Sequence, residues 1–189
     1  MKVAELLERR RKNWQELESL CLVMQSRRKR TVGAGQIARG QMPSGGWGHG
    51  FFNGFTAGYG EMNNCGIVCY TALVLAKECG VHVDETALKK ARKYFGGFGP
   101  TVASQYGDHD LVIKGYGARN GHIGALATAH RLDGNTAFAD AYALKVARSI
   151  DKIEGGHTGC MFSIVWSPIG ASFAPASEYR RGMDQFDWY

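Results

Sequence analysis

Apolar residues at helical intervals open the chain. Val3, Leu7, Trp14, Leu17, Cys21 and Met24 place residues 3 to 28 on one long amphipathic helix, and the segment TVGAGQ breaks it. The next run, QMPSGGWGHGFFNGFTAGYG, holds too many glycines for a helix and lacks the period-two alternation of a strand. From Asn63 to Lys77, NNCGIVCYTALVLAK is helical again and apolar on nearly every side, with asparagine as its cap and Gly80 as its stop. Asp84 then caps a more charged helix, DETALKKARKYF.

The plan repeats. GYG at Gly58 to Gly60 returns at Gly115 to Gly117, each time three residues ahead of an asparagine, Asn63 or Asn120. ALKKARKY from Ala87 returns as ALKVARSI from Ala143, a spacing of about 56 residues. Each unit joins an apolar first helix to a more charged second one through a glycine-containing turn. GHTG at Gly156 to Gly159 echoes GHIG at Gly121 to Gly124 and begins a third, partial copy. Pro168 and Pro175 bound its turn, and EYRRGMDQFDWY begins its outer helix. The chain stops on Trp188 and Tyr189 in mid-helix, which predicts a longer polypeptide.

A helix apolar all round must be enclosed, whereas an amphipathic one can cover it from outside. Repetition of such pairs gives an inner and an outer layer. Glycine-rich loops ahead of the inner helices favour closure about an axis over an open solenoid. The expected fold is therefore all-α, with helical-hairpin repeats forming part of an α/α toroid. Residues 1–35 are the basic amphipathic helix and linker, and residues 36–189 the partial toroid domain, truncated at its C-terminus.

Composition adds two exclusions. A chain of 189 residues with 44% hydrophobic and 21% charged content reads as an ordinary globular protein; its first dozen residues are too charged for the apolar segment of a signal peptide, and no apolar run is long enough to span a bilayer. Its formal charge of +6 is local: residues 1 to 40 carry ten Lys/Arg against four Asp/Glu, leaving thirteen of each in the remainder. RRRK at Arg9 and RRKR at Arg27 are read as a solvated helical face, so nucleic acid is not expected as a partner. The five cysteines are irregularly spaced and make no disulfide framework; Cys65 and Cys69 read as core residues.

The motifs GGWGHG, GYGEMNN, LAKECGV, YGDHD, NGHIGALA and EGGHTGCMFSIVWSPIGA, in this order over residues 36 to 189, resemble an uncharacterised bacterial family of unknown function. That family has an α/α toroid of the terpenoid cyclase and protein prenyltransferase type. The resemblance implies the fold and the location of a site, and no activity. Triterpene cyclases of this fold use a DxDD acid motif, which is absent; YGDHD at Tyr106 to Asp110 is the nearest approach. GHTGC is similar to the Cys-His-Gly zinc signature of lanthionine cyclases, but Gly156 stands where the cysteine is required.

Glu61, Asn63, Asn64, Asn120, His122, His157 and Thr158 all fall at or just before the first turn of inferred inner helices. In a toroid these helices run parallel and their N-termini gather at one mouth of the cavity, where unpaired N–H groups favour anions. Asp108, His109 and Asp110 lie in the loop between hairpins. His109 beside carboxylates suits a general base, and Asn120 suits pairing with a substrate carboxylate, a combination fit for polysaccharide lyase chemistry. Glu61 with Asp108 would be the carboxylate pair of a hydrolase. Trp47, Phe51, Phe52 and Tyr59 are candidates to stack on sugar rings.

The expected catalytic residues are thus His122, His157, Asp108 and His109. Glu61, Asn63, Asn120, Trp47 and Tyr59 are the ligand-binding ones. His157 and Cys160, three apart at a helix start, have the spacing of two ligands of one zinc ion, but no cofactor is expected and a plain helix start is preferred. The first functional expectation is an enzyme acting on a polar or anionic, glycan-like small molecule. The second is a noncatalytic binding or scaffold domain of a larger protein.

Overall fold

Every residue from Asn120 to His130 is buried, as a helix apolar on all sides requires if it is to exist in water at all. The structure, a computed structural model, describes residues 27–48, 60–99, 120–155 and 160–186. Among them it contains helices α1 (Arg27–Arg39), α2 (Asn63–Glu78), α3 (Glu85–Gly96), α4 (Asn120–Leu132), α5 (Thr136–Ala147), α6 (Cys160–Ala171) and α7 (Ala176–Phe186), a 3₁₀ turn at Ile150–Gly155, and no strand. The enclosed helix is α4. It lies between α2 and α6, with α5 packed along a third side.

The contact of α4 with α6 is made backbone to backbone. A Cβ on Gly121 would come within 2.7 Å of the Ser163 Cα, and one on Gly124 within 2.3 Å of the Trp166 carbonyl oxygen. Advancing from 121 to 124 on one helix advances the contact from 163 to 166 on the other, so α4 and α6 run parallel. Each of the preceding pairs, α2/α3 and α4/α5, is an antiparallel hairpin. Tyr70 stacks on Phe95 across the first, with ring centroids 5.4 Å apart, and His130 stacks on Tyr142 across the second at 5.9 Å. The repeated ALKxAR segments do equivalent work: Ala87 and Ala91 on α3, and Ala143 and Ala147 on α5, are all buried. The third pair departs from this pattern, because α7 rests mainly on α5 and the 3₁₀ turn.

Both hairpins turn at a glycine. Gly80 and Gly134 adopt φ of 69° and 79°, a left-handed conformation that costs other residues a Cβ clash. At the end of α2 the Val81 N–H reaches the Ala76 carbonyl and the Gly80 N–H reaches Lys77; at the end of α4 Asn135 reaches His130 and Gly134 reaches Arg131. These paired bonds satisfy carbonyls that a helix end leaves open. Asp84 then caps α3 by accepting from Thr86 N and Ala87 N, and Asn135 caps α5 by accepting from Phe138 N.

Three local expectations are corrected. TVGAGQ does not break the first helix: α1 runs through it to Arg39, because Ala34 is buried and Ile37 packs against the core, and that packing outweighs a helix penalty of about 1 kcal/mol per glycine. Residues 3 to 26 of the expected long helix lie outside the described residues. Asn63 is not a cap. Met62 takes that position in an extended conformation and without a side-chain bond, and its N–H is donated to the Trp47 carbonyl at 2.7 Å. Pro168 does not bound a turn but lies inside α6; its ring removes the N–H that would reach back to the Ile164 carbonyl, and the close seating of Gly170 on Gly124 keeps the chain helical beyond it. Among the described residues, no helix is long and apolar enough to cross a membrane.

Candidate functional site

The polar residues that open α4 are buried with it. Asn120 is 0% exposed and His122 3%, at the start of a helix whose following side chains are almost all apolar. Asn120 Nδ2 donates to Ser149 twice, to its carbonyl oxygen at 2.8 Å and its Oγ at 2.7 Å. The Ser149 hydroxyl passes its own hydrogen to the Lys145 carbonyl at 2.9 Å. A carbonyl only accepts, so the nitrogen of the amide must face Ser149 and the orientation of Asn120 is settled. Its Oδ1 points away from Ser149 and has no hydrogen-bond donor among the described residues. A buried acceptor left this way costs about 1–3 kcal/mol.

The same end of α4 is closed from the other side by α6. The Gly121 N–H donates to Ser163 Oγ at 3.2 Å, and the His122 ring meets the edge of Phe162 at 5.4 Å between centroids. Asn120, His122, Ser149, Phe162 and Ser163 therefore form one cluster, built from α4, the end of α5 and the start of α6. Ser149 and Ser163 carry no pattern in the sequence that marks them; each is brought in by tertiary packing from 29 or 42 positions away.

Around the start of α2 stand Glu61, Asn63 and Asn64, which are 7%, 1% and 9% exposed. Glu61 lies against Gly46, where an added Cβ would come within 3.1 Å of its carboxyl carbon. Asn64 Oδ1 accepts from Cys65 N at 3.0 Å. Trp47 is 3% exposed and donates its indole N–H to the Ile37 carbonyl at 2.7 Å, so its ring fastens α1 to α2 from within the core. His157, Thr158, Asp108, His109, Asp110, Tyr59, Phe51 and Phe52 lie outside the described residues, and Cys160 opens α6. Among the described residues, no group of three His, Cys, Asp or Glu side chains is placed to hold a metal.

A second polar cluster, unforeseen in the sequence, joins the two hairpins. Asp133, in the turn after α4, accepts from Tyr70 Oη on α2 and from both Nε and Nη2 of Arg92 on α3. Burial raises the Tyr70 hydroxyl well above its ordinary pKa, and the hydrogen bond and charge of Asp133 add to the rise. His130 lies beside it, 2% exposed, with neither ring nitrogen hydrogen-bonded among the described residues. Burial lowers its pKa to about 4 against a smaller upward pull from Asp133. Elsewhere a shallow groove of about 540 Å³ is lined by Asp140, Leu144, Phe173 and Pro175. It lies by the C-terminal end of α6, at the opposite end of that helix from His122.

No curated protein matches the chain, and no solved structure does. A family model matches residues 28–189, a span that takes in all seven helices but the first residue of α1. The chain belongs to the family described as a domain of unknown function, DUF6288.

Proposed function

We propose that residues 28–189 form part of an α/α toroid with a polar ligand site at the N-terminal ends of its inner helices. The enclosed α4, its parallel neighbour α6 and the covering α5 support this architecture. The observation that carries the site is the burial of Asn120 and His122 at the start of α4. Polar groups there cost stability that an apolar pair would not. In this reading Glu61, just ahead of α2, and Asn63, its first residue, contribute, while His157, Asp108, His109 and Tyr59 complete the site. Chain connectivity puts His157 five positions from Phe162, which touches His122. His122, His157 and His109 are the groups suited to acid–base chemistry on a glycan-like substrate.

One observation favours a second reading, a noncatalytic binding or scaffold domain. Both bonds from Asn120 Nδ2 tie α4 to the end of α5, which is structural work. Melting and ligand binding measured on the same Asn120→Ala and His122→Ala preparations separate the two, with a panel of neutral and uronate oligosaccharides as probes. A site predicts binding weakened at least tenfold per folded molecule by one of these substitutions. A lower melting temperature with unchanged binding supports the scaffold.

A further inference from the structure

We infer that Cys65 and Cys69 of α2 form a two-thiolate site for a soft monovalent metal ion, copper(I) among the cellular metals. The two residues are four apart on one helix, so their side chains lie one above the other on the same face. That face is the open one. Cys65 and Cys69 are half-buried and Val68 and Leu75 exposed, whereas Ile67, Tyr70, Thr71, Leu73 and Val74 are buried around the rest of the helix. The two sulfurs also sense one another, since the charge of Cys65 is among the causes that raise the Cys69 thiol. An ion arriving from solvent therefore meets both.

The spacing selects the chemistry. Residues one turn apart on a helix hold their Cβ atoms about 5–6 Å from each other, and a disulfide needs about 3.5–4.5 Å, so oxidation of the pair would have to unwind the turn; neither residue is in a disulfide. Two thiolates on opposite sides of one ion stand about 4.6 Å apart, twice a metal–sulfur bond of about 2.3 Å, which side chains on one turn can span. Zinc requires two further ligands, and among the described residues no third His, Cys, Asp or Glu joins the pair. A soft ion held by two sulfurs has no such need. Binding breaks two S–H bonds, forms two Cu–S bonds and sends both protons to solvent; copper stays at +1 and the complex carries one negative charge. That charge falls at the favourable end of α2, because Cys65 is its third residue and Cys69 its seventh, close to the N–H groups that a helix start leaves open.

The test is an anaerobic titration of the whole chain with Cu(I), using bathocuproine disulfonate as the competing ligand. The triple variant Cys21→Ser, Cys79→Ser, Cys160→Ser keeps only the pair and should take up one equivalent, with two sulfur neighbours by X-ray absorption. Adding Cys65→Ser or Cys69→Ser to it should weaken uptake at least a hundredfold. Uptake unchanged by either addition overturns the inference, as does a triple variant that folds and takes up no copper. Circular dichroism reports whether each variant keeps its helices. Where one does not, the wild-type chain decides: one equivalent of Cu(I) should slow alkylation of Cys65 and Cys69 together at least tenfold and leave Cys79 unchanged, and equal protection of all three thiols, or protection of none, overturns the assignment.

Discussion

Arg92 on α3 grips Asp133, in the turn after α4, with both arms of its guanidinium: Nε to Oδ2 at 2.7 Å and Nη2 to Oδ1 at 2.6 Å. The pair joins the first hairpin to the second, and its partners are unequally placed. The Asp133 side chain is 6% exposed and that of Arg92 42%. Removing the arginine therefore strands a nearly buried carboxylate with Tyr70 as its remaining donor, whereas Asp133→Asn removes the charge and lets Arg92 turn to water. Arg92→Ala should cost about 2–3 kcal/mol and Asp133→Asn about 1 kcal/mol, although Arg92 is the more exposed partner. The double variant should be more stable than Arg92→Ala alone. Urea unfolding of the three proteins checks the order, and equal losses for the two single variants would show that Asp133 is effectively solvated.

The glycines of the chain divide by what stands opposite them. A Cβ on Gly124 would come within 2.3 Å of the Trp166 carbonyl oxygen, while one on Gly33 meets nothing within 4 Å. The first clash is with backbone and cannot be relieved by a rotamer change. Gly124→Ala should force α6 away from α4 and destabilise by at least about 2 kcal/mol. Gly33→Ala, in the middle of α1, should stabilise by about 0.5–1 kcal/mol through helix propensity. Thermal melting distinguishes them by sign; a neutral Gly124→Ala would mean that the two helices do not touch at that point.

Thiol reactivity gives an independent check on α2. Cys79 is exposed, and Cys65 and Cys69 are half-buried. Burial raises both of the latter, and the neighbouring Cys65 adds to the rise of Cys69, to about 12. With a pKa near 12, Cys69 holds only about one thiolate in ten thousand at pH 8. Alkylation followed by peptide mapping should therefore label Cys79 first, Cys65 next and Cys69 last, with Cys69 catching up on denaturation. Early labelling of Cys69 in the native protein would contradict its packing.

Much of this order was legible in the chain because it is local. Gly80 as a stop and Asp84 as a cap need only their own neighbours, and the enclosure of α4 follows from a run, GHIGALATA, without a polar face. Where distant residues decide, the pattern misleads. The Gly33 and Gly35 pair reads as a break until Ala34 and Ile37 find the core, and Asn63 reads as a cap until Trp47 takes the Met62 N–H. Asp133 reads as an ordinary turn residue, because its partners Tyr70 and Arg92 lie 63 and 41 positions away. At the site, type and burial of Asn120 and His122 were accessible to sequence reasoning, but the commitment of the amide nitrogen to Ser149 was not.

His130 supplies the prediction with a defined pH window. It is held among Tyr70, Phe138 and Tyr142, with ring centroids at 6.1, 5.2 and 5.9 Å. Exclusion of water disfavours the imidazolium and lowers its pKa to about 4, and Asp133, the acidic group facing it, offsets only part of that. An unfolded histidine titrates near 6.5. Between those two values the unfolded chain takes up a proton that the native protein refuses, so stability falls as pH falls through the window and the loss is complete near pH 4. A displacement of this size corresponds to about 3 kcal/mol. His130→Phe keeps an aromatic ring in the stack and removes the titration. Other carboxylates also titrate in this range, so the quantity to measure is the difference between wild type and variant in urea-unfolding free energy at pH 4, 5, 6 and 7. That difference should shift in favour of the variant by about 3 kcal/mol from pH 7 to pH 4. A constant difference across the four pH values would mean that His130 titrates alike in both states and is open to water.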